Sequence, residues 1–194
     1  MEEGKFYHIY NRGNNKENLF KEDLNYTFFL KQYDKYLSGA VDTYAYCLMP
    51  NHFHFLRVKE LDEKTFEVSK TSNVSRLQLP PVIKGFKNFF TSYSKAINKK
   101  YKRTGSLFQY KFKRKEITSE EYLKNLVVYI HQNSVSDRFV NRTEDWKNSS
   151  YNTLVNDGQT KLKRNEVIEM FDDKENFIHC HQDYVSPKIE DEIW

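Results

Sequence analysis

Only two cysteines, Cys47 and Cys180, occur in the 194 residues. They lie far apart and form no CxxC spacing, which points to a reducing cytoplasm over a disulfide scaffold. No apolar run is long enough to cross a bilayer. The start, MEEGKFYHIY, carries acids where a secretion signal needs a basic segment and then an apolar one. These absences predict a cytoplasmic protein with no membrane partner. Neither an internal repeat nor a low-complexity tract interrupts the chain. With hydrophobic content at 38% and charged content at 30%, one globular domain with a substantial core is expected.

Acids are missing from one long stretch. Thr71 to Lys115 holds twelve Lys or Arg and no Asp or Glu, whereas Asn165 to Trp194 holds nine acids against two Lys or Arg. A surface that only needs to be solvated mixes its signs, so a block of one sign points to a polyanion. Aromatics make up 16% of the chain and several fall inside the basic block. That interleaving suits single-stranded nucleic acid, whose backbone meets cations while its bases stack on rings. Many of those rings must also serve as core.

The pattern of elements narrows the fold. FYHIYNR, from Phe6 to Arg12, is a strand closing on the turn Gly13-Asn14-Asn15. Asp23 to Leu37 reads as a helix, with apolar residues at Leu24, Phe28 and Leu30 to Tyr33. Val41 to Met49 and His52 to Val58 read as strands joined by Pro50-Asn51 into a hairpin. A polar stretch from Leu61 to Pro81 reads as loop. Val82, Phe86, Phe89, Phe90, Tyr93, Ala96 and Ile97 then mark the clearest helix. Gly105 to Ile117 is expected to be a strand or extended arm. A further helix opens at Thr118, with Glu121 completing a capping box, and runs to about Asn133. A short helix near Asn165 to Phe171 forms an extension. Strand, helix, strand, strand, helix, strand, helix is the order of a ferredoxin-like α+β sandwich, an antiparallel sheet with the histidine hairpin in its middle.

Two places in this frame are candidates for chemistry. In MPNHFHF, successive strand side chains point to opposite faces, so His52 and His54 share one face and Phe53 and Phe55 the other. Two neighbouring imidazoles can hold one metal ion, or they can be polar residues of a half-exposed strand. On the helix from Thr118, Leu123, Leu126, Val127 and Ile130 form the buried stripe. Tyr122, Tyr129 and Asn133 lie together on one flank of that stripe, and His131 lies on the other. Tyr129 and Asn133, four apart, sit one above the other. A phenol and an amide so placed can be a site or a semi-buried structural pair.

The segments YHIYNRGNN, AYCLMPNHFHFL, GSLFQYKFKR, YLKNLVVYIHQN and DWKNSSY, in this order, resemble the REP-associated tyrosine transposases. These belong to the single-tyrosine HUH transposases of insertion sequences. The resemblance spans about Phe6 to Tyr151, and ENFIHCH near the C-terminus is similar to a family tail. It implies that His52 and His54 are the metal-binding pair, that Asn133 completes the metal site, and that Tyr129 is the nucleophile. It also implies a catalytic domain over residues 1–151 and a helical extension over 152–194. The family usually carries Asn-Pro where this chain has Asn133-Ser134, a change expected to loosen the helix end without removing a ligand.

The implied reaction is metal-dependent cleavage and rejoining of single-stranded DNA beside palindromic hairpins. A phenol, with a pKa of about 10, is a poor nucleophile until the phosphodiester is polarised. A divalent cation, Mg²⁺ or Mn²⁺, would do this as Lewis acid and template. Tyr129 would then attack in line, giving a 5′-phosphotyrosine and a free 3′-hydroxyl that can reverse the step onto a new strand. Arg12, Lys111, Lys113 and Arg114 are the side chains expected against DNA phosphates, or they are ordinary solvated surface. Related enzymes exchange tyrosine helices across a dimer, so a homodimer and a monomer both stand.

Four alternatives accompany this reading. Tyr110, inside the basic arm, competes as nucleophile but has no polar partner one helical turn away. A module of the same fold can bind nucleic acid and do no chemistry. A metal-dependent hydrolase acting through water would need carboxylate ligands, and none lies near the histidine hairpin. His179-Cys180-His181 suggests zinc, with no fourth ligand at a recognisable spacing.

Overall fold

The computed structural model describes residues 4–58, 81–109 and 111–182. Tyr110, the expected loop as far as residue 80 and the acidic residues after Gln182 lie outside them; Pro81, expected to end that loop, instead opens a helix, as a proline can at a first helical turn. The sheet strands are β1 (Phe6–Arg12), β2 (Asp42–Met49), β3 (His52–Val58) and β4 (Lys113–Ile117). Helices α1 (Asp23–Leu37) and α2 (Pro81–Lys100) follow β1 and β3, and α3 (Glu120–Ser136) follows β4. Three short helices close the described chain: α4 (Tyr151–Val155), α5 (Arg164–Glu169) and α6 (Lys174–Gln182).

All strand pairs are antiparallel, in the order β2-β3-β1-β4, which is the expected ferredoxin-like arrangement. One detail differs: of the histidine hairpin only β3 is interior, and β2 is an edge strand. Its outer side is nonetheless covered. The stretch DWKNSSY runs along it, with Leu48 N–H donating to Asn148 O at 2.9 Å, Ser150 N–H to Tyr46 O at 2.9 Å, and Trp146 Nε1–H to Leu48 O at 3.2 Å. An open edge invites pairing with other chains, and this segment blunts it.

The sheet separates two cores. Under α1 and α2 lie Phe29, Phe53, Phe55, Phe86, Phe89 and Tyr93, all buried. Gly85 lets the helices meet, since a Cβ there would stand 2.8 Å from Tyr36 O. The buried stripe of α1 is Tyr26, Phe29, Tyr33 and Leu37. Leu24, one of the apolar residues that marked this helix in the sequence, is 69% exposed. Tyrosines that hydrogen-bond inward, as Tyr33 does to Thr43 at 2.8 Å, rotate the stripe away from the one drawn by aliphatic residues.

On the other face, α3 buries Leu123, Leu126, Val127 and Ile130 against Tyr10, Tyr44, Cys47, Met49 and Leu56, and α4 to α6 close the same core. The N-cap of α3 is Ser119, one residue later than expected, its hydroxyl accepting from Tyr122 N–H at 3.2 Å. The helix also continues to Ser136. Ser134, unlike a proline, breaks nothing, so the expected loosening is not seen. β4 is shorter than the arm predicted from Gly105. Phe108 makes an isolated bridge to Gly13, Lys111 takes a left-handed φ of 64°, and the strand begins at Lys113. Alternating sequence hides a turn of this kind.

Candidate active site on the histidine face

Register fixes what meets what. His54 lies between Tyr10 of β1 and Cys47 of β2, and His52 between Arg12 and Met49. His52 and His54 therefore point together toward α3, while Phe53 and Phe55 point into the aromatic core. Tyr129 reaches them from α3: its ring centroid is 5.7 Å from that of His54, edge to face at 82°. Asn133, one turn on, donates from Nδ2 to the carbonyl of Tyr129 at 2.7 Å. That bond turns Oδ1 toward His52, whose Nε2 lies 3.5 Å away. The helix thus brings His52, His54, Tyr129 and Asn133 together, and all four are buried.

Burial decides their protonation. Desolvation lowers His52 to about 4, with the Asn133 contact opposing and the Arg12 charge assisting, and it holds His54 well below the ordinary imidazole value. Both rings are neutral at pH 7 and carry one N–H each. His52 commits Nδ1 to Asn51 Oδ1 at 2.7 Å. Its Nε2 then presents a lone pair to the carbonyl oxygen of Asn133. Two acceptors facing each other are unfavourable until a cation stands between them. Among the described residues no group of three or more His, Cys, Asp or Glu side chains is arranged to hold a metal. The donor set here is two imidazoles and an amide, three neutral donors of the kind a divalent cation accepts, with positions left open.

Sequence reasoning missed His8. It is fully buried on β1, and its Nε2 lies 2.8 Å from His54 Nδ1. Burial, assisted by the charge of Lys115, lowers it to about 3. Its position two residues from the cross-strand partner of His54 becomes visible only with the register in hand. Lys115 was missed too. Opposite His8 and Tyr10, Lys115 and Lys113 project to the histidine face. Their ammonium groups stand 5.1 Å from the Tyr122 ring and 5.9 Å from the Tyr10 ring. Arg12, opposite His52, shares that face. Arg114, opposite Ile9, projects to the other side and is not brought to the site. Lys111 stands exposed at the turn before β4.

Among the described residues His179-Cys180-His181 forms no metal site. Cys180 is exposed, while His181 turns into the core and joins a chain of neutral groups. His181 Nδ1–H donates to Phe177 O at 2.7 Å, so its Nε2 accepts from His131 Nδ1–H at 2.8 Å, and His131 Nε2 accepts from the Ser150 hydroxyl at 2.7 Å. Desolvation lowers His181 to about 4 and His131 well below the usual range. Cys47 is equally inert: burial pushes its thiol far up. No helix among the described residues is long and apolar enough to cross a membrane.

No known family's sequence model matches this chain, and neither does any curated protein. Solved structures do. A REP-associated tyrosine transposase bound to a REP hairpin superimposes with a TM-score of 0.59 at 16% identity, over 80% of this chain and 81% of that one. A bacterial tRNA(His) guanylyltransferase-like protein in complex with GTP gives a TM-score of 0.41 at 12% identity, over 70% and 67%. The chain is thus similar in fold to a REP-associated tyrosine transposase.

Proposed function

We propose that this chain is a metal-dependent, single-stranded DNA transposase or endonuclease that cleaves and rejoins DNA beside palindromic hairpins. Tyr129 is its nucleophile. The observation carrying this reading is the meeting of Tyr129 and Asn133, on successive turns of α3, with His52 and His54 on β3. His52, His54 and Asn133 would hold Mg²⁺ or Mn²⁺. When bound, the cation supplies Lewis-acid polarisation of the scissile phosphate and a template for its oxygens.

The remaining roles belong to the chain itself. Tyr129 Oη forms a bond to phosphorus as the bond to the 3′ oxygen breaks, leaving a 5′-phosphotyrosine and a 3′-hydroxyl. Energy held in the phosphotyrosine lets a second 3′-hydroxyl reverse the step, so strands join without ATP. Arg12, Lys113 and Lys115, on the face of the histidines, neutralise phosphates approaching the site, and Lys111 meets the backbone at its rim. The buried rings exclude water, which favours the phenol over hydrolysis. The fold likeness to a transposase bound to a DNA hairpin supports the substrate class.

Tyr129 is only 3% exposed. That burial favours a second reading, a module that binds hairpin DNA and performs no chemistry. One experiment separates them. Labelled single-stranded hairpin DNAs, incubated with the full chain and Mn²⁺ or Mg²⁺, are run on a denaturing gel. The proposed function gives a slow-moving covalent adduct that Tyr129→Phe abolishes. Hairpin binding without adduct in the wild type establishes the idle module. Adduct persisting in Tyr129→Phe and vanishing in Tyr110→Phe assigns the nucleophile to Tyr110.

A further inference from the structure

His54 reaches a cation only through Nε2, because its Nδ1 is occupied by His8. The two rings lie with centroids 5.0 Å apart and planes 24° from parallel, and the Nε2 to Nδ1 separation is 2.8 Å. Both are wholly buried, and at this separation one proton lies between the two ring nitrogens and can belong to either ring. If His8 Nε2 holds it, His54 must carry its own proton on Nε2, the atom that faces the site, and cannot be a ligand. If His54 Nδ1 holds it, Nε2 is a lone pair. The ring nitrogen that bonds the metal is thereby set by the acceptor at the other nitrogen.

On the basis of the proposed function, we infer that His8 is a positioning residue. It accepts the Nδ1–H of His54 and fixes that imidazole in the tautomer, and at the angle, that presents Nε2 to the divalent cation. The arrangement repeats on the neighbouring ligand, where Asn51 Oδ1 accepts the Nδ1–H of His52 at 2.7 Å. Each ligand histidine therefore has one neutral acceptor behind it. In many metal sites a carboxylate fills this place. Here the acceptor is an imidazole whose own Nδ1 is buried with no hydrogen-bond partner among the described residues, so it brings no negative charge. A site of neutral ligands with neutral supports holds its cation weakly until phosphate anions arrive with the DNA.

The test uses the full chain and a readout other than cleavage. Free Mn²⁺ is followed by its paramagnetic resonance signal as protein is titrated. His8→Phe fills the space but cannot accept, and it should weaken Mn²⁺ binding about tenfold to a hundredfold. His8→Gln places a carbonyl oxygen near the former Nε2 and should recover most of the affinity. A role in packing alone predicts the opposite order, with Phe better than Gln. Because His8→Phe can disturb folding, the wild type is also measured directly. Nitrogen-15 spectra of Mg²⁺-saturated protein should find His54 protonated at Nδ1, with scalar coupling across the bond to His8. Wild-type affinity in His8→Phe, or a proton on His54 Nε2 in the Mg²⁺ form, overturns the inference. A wild type that binds Mn²⁺ but forms no DNA adduct overturns the proposed function instead, and the affinity order still decides the role of His8.

Discussion

The same strands present two unlike faces. Toward α1 and α2, β3 turns Phe53 and Phe55 into a cluster of stacked and tilted rings, for instance Tyr33 on Phe55 at 4.4 Å and Phe29 against Phe89 at 4.7 Å. Toward α3, alternate residues of that strand are His52 and His54, joined by His8, Tyr129 and Asn133. Fully burying a large apolar side chain contributes roughly 1.5–3 kcal/mol. Burying an imidazole or an amide is costly unless each polar atom finds a partner. One face therefore stabilises the sheet, and the other spends part of that stability on burying the polar groups of the candidate site. Even the exception on the aromatic side fits the rule: Arg57, fully buried there, lies 4.4 Å over the Phe86 ring, where its charge is offset by the ring's negative face.

The comparison can be broken most sharply at the ligands. His52→Ala and Asn133→Ala should reduce metal-dependent adduct formation to background while hairpin binding in chelator stays near wild type. A filter-binding assay beside the denaturing gel checks both at once, and loss of binding in parallel with cleavage would erase the division of labour. Next in size is the opposite deletion. Phe89→Ala should cost about 3–5 kcal/mol, read as a lower urea midpoint. The folded fraction at low urea should still bind hairpin DNA.

Acid sharpens the contrast because only one face titrates. Unfolded imidazoles take up protons near 6.5, whereas in the folded chain burial holds His8 at about 3 and His52 and His181 at about 4. Depressed folded values mean that their contribution is complete above pH 6.5 and is lost as pH falls toward 4 and then 3. Urea midpoints should therefore decline between pH 6.5 and 5, before most carboxylates protonate. His181→Gln should flatten that decline, and an unchanged slope would show that the buried imidazoles do not govern it. The smallest effect is on DNA affinity. Lys115→Ala, on the histidine face, should reduce the slope of log affinity against log salt by about one. Arg114→Ala, on the far side of β4, should leave that slope unchanged.

Much of this was legible in the sequence, for definable reasons. Local periodicity carried the phenylalanine stripe of α2, the shared face of His52 and His54, and the stacking of Tyr129 over Asn133. Each depends only on a period of two or 3.6 residues. What failed depended on distant partners or on a local irregularity that the pattern does not show. His8 acquires its role from a strand pairing that joins residues 46 apart. The stripe of α1 depends on which tyrosine hydroxyls find partners, and β4 on a single left-handed residue, Lys111. Helix α6 has little apolar periodicity to betray it. It is fastened by Phe177 and by the inward turn of His181. The segment DWKNSSY was recognisable as a motif, yet its task of covering the β2 edge appeared only once the sheet order was known.

The bond chain from Ser150 through His131 to His181 has a consequence for the gene as well as the protein. All four residues of the candidate site are encoded before codon 134, so a premature stop near codon 175 leaves every one of them in place. It nevertheless removes the acceptor of His131 Nδ1–H and the carbonyl that receives the Gln132 amide. Both donors lie on α3, two residues and one residue from a proposed ligand. Stranding buried donors of this kind costs about 1–3 kcal/mol each, and the loss of Phe177 adds to it. Nonsense alleles this late in the reading frame should thus behave as null alleles, and the selectable length of the gene extends well past the last codon of the candidate site.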